Sequence, residues 1–262
     1  MVYGKMKLLK KSAFYGKPGR WEEAMHRFYA ERMDEDHAAL PPEEASHALR
    51  VLRMGPGDAC QALLEEKLFS AHILETEPRV ILALEQELPS PEPGVLVTLY
   101  QGIPKGDKMD YIVQKCTEAG ARRIVPVAFS RCVARWDARD AEKKRARLQR
   151  IAMEAAKQSG RAVTPEVLSP ISPSQLETEL ALYDAALIPW EEERGHGLRA
   201  NWQGQKNVAV VIGPEGGLDE KEIARMREAG GVSITLGPRI FRTETAGLAA
   251  ILSLLTLSGD LE

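Results

Sequence analysis

The sequence predicts an α/β protein, with a parallel sheet in its C-terminal part and a small β-rich unit before it. Three observations carry that expectation. Two short apolar runs near the C-terminus each lead through a glycine-containing loop into a helix. Strand, helix and strand alternate from Val95 onward. Before that, residues 25–90 read as short strands and turns, and LPSPEPG (88–94) forms a proline-rich link between the two parts.

In chain order, Pro41-Pro42 and GPGD (55–58) are turn chemistry, and Glu43 to Leu52 is the one helical stretch of the first part. Val80, Leu82 and Leu84 alternate as a strand with one drier face does. The C-terminal domain, 95–262, opens with strand Val95 to Tyr100, helix Asp107 to Ala119 and strand Ile124 to Phe129. A basic helix follows over Asp140 to Ser159, and Asp184 to Ile188 is a further buried strand that exits at Pro189-Trp190.

Val208 to Ile212 is a continuous apolar strand ending at GPEGG (213–217). Asp219 and Glu222 form a capping box, Ile223 and Met226 supply an apolar stripe, and Gly230-Gly231 supply the stop. The unit then repeats in kind. Val232 to Leu236 is a strand, GPRIFR (237–242) its loop, and Thr243 is placed to cap a helix through Leu257 that is apolar nearly all round.

Loops at strand ends in open α/β sheets are where small molecules bind, and glycines there admit a ligand against bare backbone. The loops after Ile188, Ile212 and Leu236 are expected to converge on one pocket. GPEGG is not a Walker loop, because no Lys-Ser or Lys-Thr follows, and it lacks the dinucleotide spacing. Taken alone, it is equally compatible with a plain turn.

Composition narrows the classes. With 262 residues and 44% hydrophobic content, the chain can bury a sizeable core. No apolar run is long enough to span a bilayer. Cys60, Cys116 and Cys132 lack disulfide or zinc spacing, and the five histidines show no metal-ligand spacing, so no metal is expected. The net charge of −3 hides a segregation: residues 101–161 carry 15 Lys and Arg against 7 Asp and Glu, a local +8. That excess suits an RNA partner, although AEKKRARLQR (141–150) also reads as the solvated face of an amphipathic helix.

Residues 1–24 form a basic extension. Trp21-Glu22-Glu23 can be encoded by TGG GAG GAA, which contains a ribosome-binding sequence ahead of Met25. The expectation is that translation starts at Met25 and that the extension is not native.

GPEGG followed by LGPRIFRTETA (236–246) closely resembles the RsmE family, and further motifs in the same order extend the resemblance from Met25 to the end. These are HALRVLR (47–53), IPKGDKMDYIVQKCTEAG (103–120), EAAKQSGR (154–161) and ALIPW (186–190). The resemblance implies an S-adenosyl-L-methionine-dependent methyltransferase acting on N3 of a uridine in small-subunit ribosomal RNA, free or within a ribosomal particle. It also implies a SPOUT-type C-terminal domain tied in a trefoil knot, a PUA-like N-terminal β-barrel that assists RNA binding, a homodimer, and a cytoplasmic enzyme without membrane association. Two departures stand out. LLEEKLF (63–69) replaces the family's usual Asp-Gly turn, and Phe241 stands where Leu is usual, a larger side chain in the pocket wall.

By the same resemblance, the cofactor lies on Leu187 to Pro189, on Gly213, Glu215, Gly216 and Gly217, and on Leu236, Gly237, Ile240 and Phe241. Methylating uridine N3 requires loss of its proton and stabilisation of the anion that remains. Arg239 and Arg242 suit that anion or a neighbouring phosphate. Glu244 or Glu215 is placed to take the proton or to orient an arginine, while Glu244 equally suits the dipole of the last helix. Arg27, Arg50 and Arg53 are candidate RNA contacts in the first domain, and Lys105, Lys108, Gln158 and Arg161, which match the family's motifs, are candidates for RNA or pocket contacts in the second. Two other readings remain at this point: a non-catalytic RNA-binding or assembly protein of this fold, and an enzyme of the same class acting on a ribose 2′-hydroxyl or another base.

Overall fold

The computed structural model describes residues 26–261, so the expected basic extension and the proposed start at Met25 lie outside the described residues. The chain divides into two compact units between Pro89 and Ser90.

The first unit is built on a six-stranded sheet in the order β1-β4-β5-β6-β3-β2. Its strands are β1 (Arg27–Tyr29), β2 (Glu31–Arg32), β3 (His37–Ala39), β4 (Ala59–Leu64), β5 (Lys67–Glu75) and β6 (Ile81–Leu88). β1 runs parallel to β4 and the other pairs are antiparallel. Phe28, Cys60, Ile73 and Leu82 bury their side chains in one cluster. The single helix expected over Glu43 to Leu52 is instead two pieces, α1 (Pro42–Ser46) and a π-helical turn over His47–Val51. The β4–β5 hairpin closes without glycine: Glu65 and Glu66 both adopt left-handed φ, 52° and 63°, as a two-residue primed turn demands. LLEEKLF therefore keeps the hairpin, with two glutamates in a conformation that ordinarily favours Gly or Asn.

The second unit is an all-parallel six-stranded sheet in the order β12-β10-β11-β7-β8-β9. Its strands are β7 (Leu96–Gly102), β8 (Arg123–Val127), β9 (Glu166–Val167), β10 (Ala185–Pro189), β11 (Asn207–Ile212) and β12 (Gly231–Ile234). Its helices are α2 (Lys108–Glu118), α3 (Ala138–Ser159), α4 (Pro173–Leu180), α5 (Leu198–Asn201), α6 (Glu220–Glu228) and α7 (Thr243–Ser258). Both sheet faces are covered, which is why its strands read as continuous apolar runs. Val97, Leu99, Val208 and Val210 pack with Ile112, Leu148, Ile251 and Leu254 on one face. Ala209, Val211 and Ile188 pack with Leu176, Ile223 and Met226 on the other.

The order of the strands positions the site. After β9 the chain returns across the sheet to β10, and β11 and β12 then flank β10 on either side. The loops leaving β10, β11 and β12 thus emerge side by side at one carboxyl edge, where open α/β sheets bind ligands.

Candidate functional site

A cavity of about 620 Å³ opens where those three loops meet. Pro189 at the end of β10 and Trp190, Glu191, Glu193 and Arg194 from the loop after it contribute, with Gly213, Pro214, Gly217 and Leu218 from the loop after β11, and Thr235 to Phe241 from the loop after β12. Thr243 and Ala246 of α7 complete the wall.

The loops are fastened to one another. Trp190 N donates to Ile234 O at 3.0 Å, and Thr235 N donates to His196 O at 2.8 Å. The GPEGG turn closes on itself through Gly217 N to Pro214 O at 3.0 Å, with Gly217 at φ 72°. A side chain at Gly217 would collide with the Glu191 carboxylate, so the glycine leaves the space between these two loops open. Under the same loop, a Cβ at Gly102 would lie 2.5 Å from Pro214 N. The end of β7 therefore seats GPEGG backbone to backbone.

Thr243 was expected to cap α7 and does not. Arg242 occupies the cap position without a side-chain capping bond. Thr243 is the first helical residue, and its hydroxyl donates to Gly213 O at 2.6 Å while accepting from the buried Gln101 Nε2 at 2.8 Å. At α6 the capping box forms as expected: Asp219 caps and Glu222 reaches back to Asp219 N. Glu222 has a second task, accepting from Ser130 N at 2.8 Å and tying the exit of β8 to this corner. Arg131 adds a clamp, with Nη1 3.2 Å from Gly216 O and 3.3 Å from Leu218 O.

Of the residues expected at the cofactor, Pro189, Gly213, Gly217, Leu236, Gly237, Ile240 and Phe241 line the cavity. Leu187, Glu215 and Gly216 are not among its lining residues. Leu187 is buried in the sheet core, and Gly216 rests against Arg131. Glu215 turns toward α2, where Oε1 accepts from Lys105 N at 3.1 Å and meets Lys108 Nζ at 3.0 Å. The same ammonium lies 3.1 Å from Glu244 Oε2.

This triad sets the local electrostatics. Hydrogen bonds to Glu215 and Glu244 raise the Lys108 pKa. Burial pushes the Glu215 carboxyl up, but its own backbone N–H, Lys108 and Lys105 outweigh that and leave it below the usual range. Glu244 is likewise held low, by its own backbone N–H first and by Lys108 against the effect of burial. Both carboxylates are stably ionised and hence weak bases. Arg239 lines the cavity, whereas Arg242 is 84% exposed and 4.0 Å from Glu244 Oε1. The thiols of Cys116 and Cys132, raised by burial, offer no nucleophile.

Residues absent from the sequence-based set complete the cavity: Trp190, Glu191, Glu193, Arg194, Thr235 and Ala246. Glu193 accepts from Ser233 Oγ at 2.6 Å and from Arg227 Nη2 at 3.3 Å. The Ser233 hydroxyl, then the backbone N–H of Gly195, bring its pKa down to about 2. The only advance signal was WEEER (190–194), a dense acidic run directly after a buried strand.

The candidate RNA contacts divide. In the first unit, Arg50 and Arg53 are exposed, Arg53 with φ 57°, and Arg27 Nε donates to Gln61 Oε1 at 3.0 Å. In the second, Lys105 and Gln158 are exposed and Lys108 is held by its two carboxylates. Arg161 requires correction. Its side chain is 6% exposed, paired with Glu92 and hydrogen-bonded to Thr117 O and Ala121 O at 3.0 and 2.7 Å. It is a buried structural cation and does not face RNA.

Comparison with known proteins gives consistent matches. Residues 91–255 match the RNA methyltransferase domain family. The ribosomal RNA small subunit methyltransferase E of Bacillus subtilis (strain 168) is 34% identical over 87% of this chain and 94% of its own length. The crystal structure of a ribosomal RNA small subunit methyltransferase E from Neisseria gonorrhoeae, bound to S-adenosyl methionine, is 35% identical. It superposes with a TM-score of 0.72 over 89% of this chain and 98% of that one. A Legionella pneumophila protein solved with bound SAM is 30% identical, with a TM-score of 0.73 over 89% of this chain and 98% of that one.

Proposed function

This chain belongs to the ribosomal RNA small subunit methyltransferase E family, and on that premise we propose that it methylates N3 of a uridine in small-subunit ribosomal RNA, using S-adenosylmethionine. The observation that carries the reading is the cavity at the joined exits of β10, β11 and β12. Its volume falls in the range of small-molecule sites, and its wall mixes loop backbone, apolar side chains and carboxylates. That donor set fits the cofactor. Backbone groups of Pro189, Gly213, Gly217 and Leu236 to Phe241 would hold it, with Ile212, Leu218 and Ala246 against its apolar surface. The Glu191 and Glu193 carboxylates match the sign of its cationic end.

Bound there, the cofactor supplies a methyl group activated on a sulfonium. The chain's own residues provide position and charge. Arg239 stands at the cavity wall, and Arg242 is free to swing toward the uracil anion or its phosphate. Glu215 and Glu244 serve to fix Lys108, which joins the loop after β7, the GPEGG loop and the start of α7. Arg27, Arg50, Arg53 and Lys105 are RNA contacts in this reading.

The reading extends to a SPOUT-type knotted topology for residues 95–262, a PUA-like barrel for residues 25–90, a homodimer and a cytoplasmic site of action. The return across the sheet from β9 to β10 favours the first, and the apolar character of α7, with Leu252 36% exposed, favours a self-associating surface. Among the described residues no helix is long and apolar enough to cross a membrane.

Single-turnover methylation of small-subunit ribosomal RNA, mapped by primer extension, tests the proposal. A methyl group on N3 blocks the pairing edge and stops the polymerase, whereas a ribose 2′-O-methyl leaves that edge intact. Cofactor-dependent stops at a uridine are expected. Methylation that leaves the pairing edge free supports chemistry on the ribose or at another base position instead, and cofactor binding without methylation supports an assembly role.

A further inference from the structure

Part of the local positive charge of the second unit lines one helix face. At about 100° per residue, Arg139, Lys143, Arg147 and Arg150 of α3 fall within roughly 80° of each other. Leu148, Ala152 and Ala155, all buried, hold the opposite side. The stripe from Arg139 to Arg150 is about 16 Å long at the helical rise.

Its cations are unequally committed. Arg147 pairs with Asp110 at 2.6 Å, and Arg145, on the far side of the helix from the stripe, pairs with Glu142 at 2.7 Å. Arg135, Arg139, Lys143 and Arg150 are exposed and have no hydrogen bond or ion pair among the described residues. The remaining carboxylates nearby are Asp137, which caps α3, Asp140, and Glu154 beyond the end of the stripe. Trp136 adds an aromatic face with Lys144 Nζ 4.9 Å from its centroid.

The stripe also has a direction. The segment that enters α3 is bolted to α6 by Ser130 N to Glu222 and to the GPEGG loop by Arg131 to Gly216 O. Arg135 stands between that clamp and the first turn of α3. Uridine N3 is buried in a base pair, so a nucleotide methylated there has to be unpaired when it enters the cavity, and an already single strand presents it at the least cost.

We propose that Arg135, Arg139, Lys143 and Arg150 form a phosphate-binding track that leads single-stranded RNA along α3 to the cavity. The inference rests on the RNA methyltransferase reading. It commits to backbone contacts without base readout, so affinity along the track is insensitive to sequence and sensitive to salt.

The test is fluorescence anisotropy with a labelled oligouridylate across a salt series, for the parent and for a variant carrying Arg135→Gln, Arg139→Gln, Lys143→Gln and Arg150→Gln. Loss of four phosphate contacts reduces the slope of log affinity against log salt by roughly 3, and affinity at low salt falls about tenfold or more. Replacing the three arginines by lysine leaves the slope near the parent's. Titration calorimetry with S-adenosylmethionine accompanies each protein and is expected to give the same affinity throughout.

An unchanged slope in a glutamine variant that still binds the cofactor overturns the track and leaves this face to solvent or an acidic protein. A parent that binds no S-adenosylmethionine overturns the underlying reading instead. Should the quadruple variant fold poorly, Arg139→Gln with Lys143→Gln replaces it, with half the loss of slope expected and no loss counting as refutation.

Discussion

Thr243 Oγ1 donates to Gly213 O at 2.6 Å, joining the first turn of the last helix to the first residue of the cavity loop. The same hydroxyl accepts from Gln101 Nε2 at 2.8 Å. One oxygen thus links β7, the GPEGG loop and α7. Thr243→Val keeps the shape and removes both bonds, stranding a buried amide donor and a loop carbonyl. The expected cost is about 1–3 kcal/mol in urea denaturation, with S-adenosylmethionine affinity reduced several-fold. Thr243→Ser is expected to retain most of both.

Arg161 and Glu92 make the second long-range junction. The carboxylate accepts from Ala162 N at 2.7 Å and Val163 N at 3.1 Å as well as from the guanidinium. Arg161→Met leaves this carboxylate poorly compensated, and removal of one partner of a buried pair costs about 3–5 kcal/mol. Arg161→Met with Glu92→Leu is expected to recover part of that loss. A double-mutant cycle by denaturation measures the coupling. RNA affinity of the folded single variant should match the parent's, unlike that of variants in α3.

These two junctions mark where sequence reasoning stopped. The capping box of Asp219 and Glu222 and the apolar runs of β10 and β11 are written in residues a few positions apart, so pattern alone finds them. Thr243 looked like a cap because local spacing is the only signal a sequence offers, whereas its partner carbonyl is 30 residues away. Arg161 looked available for RNA because its partner lies 69 residues upstream in a link that reads as mere proline-rich connection. The loop motifs placed most of the cavity. They left out Glu191, Glu193 and Ala246, whose roles depend on which strands become neighbours.

Glu193 gives the site a signature at low pH. Its carboxyl is held down to about 2 in the folded protein against an ordinary 4.5. A depressed folded pKa means that the stabilising contribution is full above the unfolded value and is lost as pH falls from there through the folded one. The stability difference between parent and Glu193→Gln, followed by thermal denaturation, should therefore be constant above roughly pH 5 and shrink steadily toward pH 2. A difference that does not change over that window removes the Ser233 and backbone bonds as its source.

Glu244 lies 4.0 Å from Arg242, and its environment argues against proton abstraction. Its backbone N–H and the Lys108 ammonium hold the carboxyl below its ordinary range, which weakens it as a base. A general base normally contributes about 10²–10⁴ in rate. Glu244→Gln should therefore slow single-turnover methylation by less than about tenfold and leave the shape of the pH–rate profile intact, since the carboxylate is already ionised across the working range. Lys108→Met should do more harm, because it leaves Glu215 and Glu244 repelling each other across the mouth of the GPEGG loop. Its effect should appear largely as weaker cofactor binding, separable by calorimetry from the chemical step. A loss of a hundredfold or more in Glu244→Gln, with a flattened pH profile and unchanged cofactor affinity, would make Glu244 the base after all.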